Sequence, residues 1–144
     1  MPVPSAIKKT LRPCLYLLVL FSLFLPGTSS SEEIATDVFL LAREDRLLAF
    51  SGQRNRWFTL DLRPGETVAK SMHGGNVAVA ATGERALAFS AITGRWTEET
   101  LRIRETVESV SAEGNIGTVV TNIRVLGFSA SSGSWIESYF SIGK

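Results

Sequence analysis

One stretch of this sequence occurs three times at a fixed interval. It reads Arg46-Leu47-Leu48-Ala49-Phe50-Ser51 with Trp57, then Arg85-Ala86-Leu87-Ala88-Phe89-Ser90 with Trp96, then Arg124-Val125-Leu126-Gly127-Phe128-Ser129 with Trp135. The copies lie 39 residues apart without a gap, and Arg, Leu, Phe, Ser and Trp are identical in all three. A period of this size calls for a repeat architecture, in which each unit buries its apolar face only by stacking on a neighbour. The copies run over residues 37–75, 76–114 and 115–144.

Within a copy the signals are those of strands. A short β-branched or apolar run comes first: Val38 to Ala42, Val77 to Ala81, Ile116 to Val120. A turn follows, then the repeated stretch, then a polar turn, then a segment opening at the Trp. Copies one and two add a fourth segment near Thr67–Met72 and Thr106–Ser111, and the third copy lacks one. Runs of 4–8 residues parted by turn residues predict an all-β protein, and no amphipathic helix is apparent beyond residue 31. Successive strand residues point to opposite faces. The repeated Arg, Leu and Phe therefore share one face. The other carries Leu47 and Ala49, Ala86 and Ala88, Val125 and Gly127, which are apolar and mostly small. Strands apolar on both faces predict antiparallel sheets stacked face to face, with the small residues permitting close approach.

The segment Val77 to Trp96, Val-Ala-Val-Ala-Ala-Thr-Gly-Glu-Arg-Ala-Leu-Ala-Phe-Ser-Ala-Ile-Thr-Gly-Arg-Trp, resembles one blade of a β-propeller of the quinoprotein or kelch type. The resemblance covers most of residues 37–144 and implies a fold, not an activity. Repeats of that family commonly carry Asp where this chain has Ser51, Ser90 and Ser129, and no quinone-binding or metal-binding motif of the quinoproteins is present. Propellers close with about four to eight blades, and three copies fall short. The expectation is a partial propeller completed by oligomerisation. A relic of a longer protein and a β-trefoil are the alternatives.

The N-terminus is of another kind. Lys8, Lys9 and Arg12 precede an almost wholly apolar run, Leu15 to Leu25, which Pro26-Gly27 and small polar residues end. Basic, apolar and small-residue parts in that order predict a signal peptide over residues 1–31, cut after Ser29, Ser30 or Ser31. The 12 residues Cys14 to Leu25 fall short of the roughly 20 a spanning helix needs. A retained anchor over residues 13–26 is the alternative. The expected destination is the periplasm or the extracellular space. Cys14 is the only cysteine and stands at the start of the apolar run, so lipidation is not expected, and residues 32–144 hold neither thiol nor disulfide. Residues 1–31 carry three of the 15 Lys and Arg and none of the 14 acids, leaving 12 against 14 and a net charge of −2. That balance excludes a nucleic-acid footprint.

Candidate site residues come from the repeat. Trp57, Trp96 and Trp135 could stack on sugar rings. Packed between sheets, each would instead bond its indole N–H to a turn carbonyl. Arg46, Arg85 and Arg124 could bind a carboxylate or sugar hydroxyls, or pair with acids and carbonyls of neighbouring strands. The repeated Ser is no hydrolase nucleophile: Gly127-Phe128-Ser129-Ala130-Ser131 lacks the final Gly of an elbow, and His73 is the only histidine. The acids Glu98, Glu99 and Glu137 read as solvated positions, and Gly74-Gly75 as a turn joining repeats. No cofactor and no catalysis are expected. The function predicted is an exported, non-catalytic scaffold for a protein partner or for self-assembly, the alternative being a small lectin with sites between repeats.

Overall fold

The structure, a computed structural model, describes residues 35–140. The predicted signal peptide, its cleavage site and the alternative anchor lie outside these residues. Eleven strands form three antiparallel sheets. The first sheet holds β1 (Val38–Ala42), β2 (Arg46–Ser51) and β3 (Arg56–Asp61). The second holds β4 (Val68–Gly74), β5 (Val77–Thr82), β6 (Arg85–Ser90) and β7 (Arg95–Thr100), in that order. The third holds β8 (Val107–Glu113), β9 (Ile116–Thr121), β10 (Arg124–Ser129) and β11 (Ser134–Tyr139).

The all-β repeat architecture is as expected, but its phase is not. The fourth segments of copies one and two pair into the following sheet. β4 turns back on β5 with Gly74 opposite Val77, and β8 on β9 with Glu113 opposite Ile116. Gly75 and Gly114, at φ +54° and +56°, make these hairpin turns in a conformation suited to glycine. Gly74-Gly75 therefore turns within a sheet and does not join one to the next. Among the described residues the third sheet has four strands and the first has three. The described strands close into no barrel, so the trefoil alternative is not the arrangement observed.

The sheets stack as the two-faced strands predict. Leu87 and Phe89 of the second sheet pack on Val38, Leu40, Leu47 and Ala49 of the first. Leu126 and Phe128 of the third pack on Val77, Val79, Ala86 and Ala88 of the second. The rule is the same at both interfaces: the large row of the later sheet sits on the small row of the earlier one. β5 and β6 are buried along their whole length. In β2 only alternate residues are buried, Leu47, Ala49 and Ser51, and in β10 the opposite set, Arg124, Leu126 and Phe128. Each end sheet thus keeps one open face.

The interfaces are close. A Cβ added to Gly117 would stand 2.4 Å from Cγ2 of Val79 and 2.9 Å from Cγ1 of Val77, less than a carbon contact permits. Backbone bonds tie the sheets at one end: Asp37 N–H donates to Gly75 O at 2.8 Å, and Asn76 N–H to Gly114 O at 2.7 Å. Asn76 Nδ2 also donates to Asn115 Oδ1 at 2.7 Å.

Candidate functional site

The repeat places its three Arg side chains in two different environments. Arg85 is buried and forks onto Glu66, with Nε to Oε1 at 2.9 Å and one terminal nitrogen to Oε2 at 2.8 Å. Its other terminal nitrogen bonds Glu98. Thr82 Oγ1 donates to the same Glu66 at 2.7 Å, and Arg63 N–H at 2.8 Å. Arg124 repeats the arrangement. It forks onto Glu105 at 2.8 and 3.0 Å, bonds Glu137, and reaches Glu99 at 3.3 Å and the Thr100 carbonyl of the preceding sheet at 2.9 Å. Thr121 Oγ1 and Arg102 N–H complete Glu105. A fork onto a carboxylate is the strongest geometry available to this pair of groups.

The electrostatics follow. The Arg85 hydrogen bonds hold the Glu66 carboxyl down at about 2, against the opposing effect of burial. Burial alone would raise Glu105, but the bonds from Arg124, Arg102 and Thr121 outweigh it and its carboxyl is lowered. The bond to Glu66 raises Arg85, and that to Glu105 raises Arg124. Both arginines are spoken for, and neither offers a fork to a ligand.

Arg46 differs. Its side chain is 46% exposed and bonds only Asp45 beside it, at 2.6 and 3.0 Å, among the described residues. Thr59 stands at the position of Glu98 and Glu137, and Arg43 at that of Thr82 and Thr121.

The tryptophans divide the same way. Each packs on the Phe opposite it in its own sheet, with ring centroids 5.3, 5.5 and 5.2 Å apart for Phe50–Trp57, Phe89–Trp96 and Phe128–Trp135. Trp96 Nε1 then donates to Phe58 O at 3.2 Å, and Trp135 Nε1 to Thr97 O at 3.4 Å. These acceptors are strand carbonyls of the preceding sheet, not turn carbonyls. Trp57 is 48% exposed, and among the described residues no carbonyl receives its indole N–H.

The first sheet's open face gathers what the interfaces would otherwise cover. Trp57, Phe50 and Phe39 form one row across the three strands, and Phe39 packs edge-on to Trp57 at 6.3 Å and to His73 of β4 at 5.3 Å. Leu48 and Leu41 make a second row with Thr59, and Arg46 and Asp61 a third. The third sheet's open face carries Ser109, Ser111, Thr118, Val125, Gly127 and Ser138, with Ile116 and Ile136 the large apolar residues on it.

Two of the six predicted site residues, Arg85 and Arg124, lie in buried ion clusters, and the repeated Ser90, whose Oγ donates to Ala130 O at 2.6 Å across an interface, is likewise structural. Trp96 and Trp135 are half-buried between sheets, and only Trp57 and Arg46 share an open face. A cleft of about 240 Å³ between the second and third sheets is lined by Glu99, Leu126, Trp135, Ile136 and Glu137, but both acids there are bonded to Arg124. Glu98 and Glu137, though partly exposed, are arginine partners and not simply solvated. Sequence reasoning missed Glu66 and Glu105. Their signal was the period itself: each lies 19 residues before a repeated Arg, whereas the residue 19 before Arg46, ahead of the first copy, is Gly27. Among the described residues no group of three His, Cys, Asp or Glu could hold a metal ion.

No family model matches the sequence, and no curated protein matches it either. Among solved structures, the N-terminal domain of Nup159 is similar at 14% identity and a TM-score of 0.41, over 76% of this chain and 30% of that one. A likeness at that level carries no argument about what this chain binds.

Proposed function

We propose that the chain is an exported, non-catalytic interaction scaffold, built as part of a β-propeller, which takes a protein partner on the open face of its first sheet. The observation that carries this is the aromatic row Phe39–Phe50–Trp57, with Phe39 and Trp57 about half exposed. Aromatic side chains next to Leu41, Leu48 and one Arg make the composition of a contact surface. The signal-peptide pattern of residues 1–31 supports export. The absence of catalysis is supported by the engagement of the acids: Glu66, Glu98, Glu105 and Glu137 each bond a buried arginine.

The test is a photo-crosslinking amino acid placed at Leu48 in the producing cells, with Thr118 on the opposite open face as control. The expected result is a discrete polypeptide adduct from position 48 and none from position 118. Equal labelling from both, or none from 48, sinks the reading.

A second reading, carbohydrate binding, is favoured by Trp57, whose indole N–H meets no strand carbonyl among the described residues and which lies on one face with Arg46. It predicts one sugar site and not three. Glycan binding lost in Trp57→Ala, with folding intact, would favour it over the protein partner.

A further inference from the structure

The two internal interfaces show what a sheet must be to sit on the one before it. Opposite the repeated Phe, on the neighbouring strand of the same sheet, stand Ala78 in the second sheet and Gly117 in the third. Ala78 is fully buried, and at Gly117 even a methyl group would overlap Val79 and Val77. The first sheet has Phe39 at this position, opposite Phe50 and 50% exposed. If a second copy approached with the open face of its third sheet, repeating the internal geometry, Phe39 would meet Ile116 and Thr118 at the place where Gly117 meets Val77 and Val79. A phenyl ring would occupy space that holds no more than a methyl at Ala78 and excludes even that at Gly117. Edge contacts with Trp57 and His73 on either side hold the ring in place.

The charge points the same way. Stacking would bury Arg46 as Arg85 and Arg124 are buried, but Thr59 replaces the acid that Glu98 and Glu137 supply. Burying the exposed Arg46–Asp45 pair without that second acid carries a desolvation cost.

We infer that Phe39 is a stop: it closes the first sheet to the third sheet of another copy, so that the chain does not grow head to tail. This turns against the ring of copies that the repeat count suggests, and it holds whether the open face takes a protein or a sugar. A heterologous contact of that kind would otherwise propagate into rings or filaments.

The test is solution mass by light scattering on the purified chain and its variants. Wild type and Arg46→Leu are expected to be monomers at every concentration. In Phe39→Ala/Arg46→Leu the bulk and the arginine charge are both gone. Its weight-average mass is expected to at least double with concentration and to return to monomer on adding Gly127→Arg, which projects from the third sheet's open face. Phe39→Thr in place of Ala guards against loss of strand propensity. A double variant that is folded by circular dichroism yet monomeric overturns the inference, as does equal association of Arg46→Leu alone. A second experiment needs no change at Phe39: in a Cys14→Ser background, Leu48→Cys and Gly127→Cys proteins are mixed under oxidation. No mixed dimer is expected, and its formation would show head-to-tail contact in the wild-type interface. A wild-type monomer whose Leu48 photo-crosslinks to no polypeptide would defeat the proposed partner while leaving this inference standing.

Discussion

Arg46 and Arg85 are the same residue of the same repeat. Both begin the middle strand of a sheet, and both pair across to the Trp-bearing strand in the same register. Yet Arg85 is buried in a four-group cluster, and among the described residues Arg46 bonds only Asp45 beside it. The contrast runs through the whole copy. Phe89 is fully buried and Phe50 half-buried; Trp96 bonds the preceding sheet and Trp57 faces outward. What separates the two is the presence of a sheet in front. Residues that are core in the second sheet become surface in the first because nothing among the described residues stacks on them. The repeated consensus specifies an antiparallel sheet, and the neighbour decides which members of it are structural.

This contrast can be broken by substitution, beginning with the largest effect. Phe89→Ala removes a ring buried between two sheets and is expected to lower stability by about 3–5 kcal/mol. Phe50→Ala, on the open face, should cost well under half of that. Denaturant titration of both variants measures the difference, and equal losses would mean that the first sheet's face is covered.

Glu66→Ala strands Arg85 in the interior and should cost about 3–5 kcal/mol, whereas Asp45→Ala, breaking an exposed pair screened by solvent, should leave stability nearly unchanged. The same cluster makes stability depend on pH. The Glu66 carboxyl lies at about 2 in the folded protein, below its ordinary value of 4.5. A depressed folded value means that the stabilisation is fully present above 4.5 and is lost as pH falls toward 2. The loss is on the order of 3 kcal/mol. Replacing Glu66 and Arg85 together by Gln and Met should flatten that limb of the stability curve, and an unchanged slope would show that other carboxylates carry it.

Gly117 and Gly127 test the close approach directly. Gly117→Ala must push against Val79 and is expected to cost about 1–3 kcal/mol. Gly127→Ala has only the Ile136 carbonyl within reach, at 4.0 Å, and should be neutral or stabilising by up to about 1 kcal/mol. Thermal melts of the pair suffice. The smallest expected effect is Trp96→Phe, which loses the indole bond to Phe58 O and should cost about 1 kcal/mol. Trp57→Phe should leave the melting temperature unchanged.

Much of this was legible in the residues. The 39-residue period, the strand positions and the two-faced apolar pattern follow from alternation and turn chemistry, which are local. The division of each repeat into a large row and a small row was visible too, because Leu and Phe alternate with Ala or Gly along one strand. The phase of the sheets was misread: whether β4 belongs with β3 or with β5 depends on which backbone groups bond, and the sequence spacing of the copies is indifferent to that. The signal at Gly75, a glycine between two strand-like runs, could have marked the hairpin.

The candidate site was the least legible part. Six equivalent positions, three Arg and three Trp, looked like one site in triplicate. Sequence by itself determined that they recur, that they flank one core strand, and that Glu66 and Glu105 keep the same distance from two of the three arginines while Gly27, ahead of the first copy, stands at that distance from Arg46. It also placed Phe39 where the other copies have Ala78 and Gly117. Only the tertiary structure decided that these differences fall on one open face. Burial and ion pairing are set by which surface lies opposite, and that surface belongs to another sheet tens of residues away in the chain. An arginine beside a carboxylate fork is a structural member. The same arginine without a described sheet in front of it shares an open face with Phe39, Phe50 and Trp57 and stays half exposed.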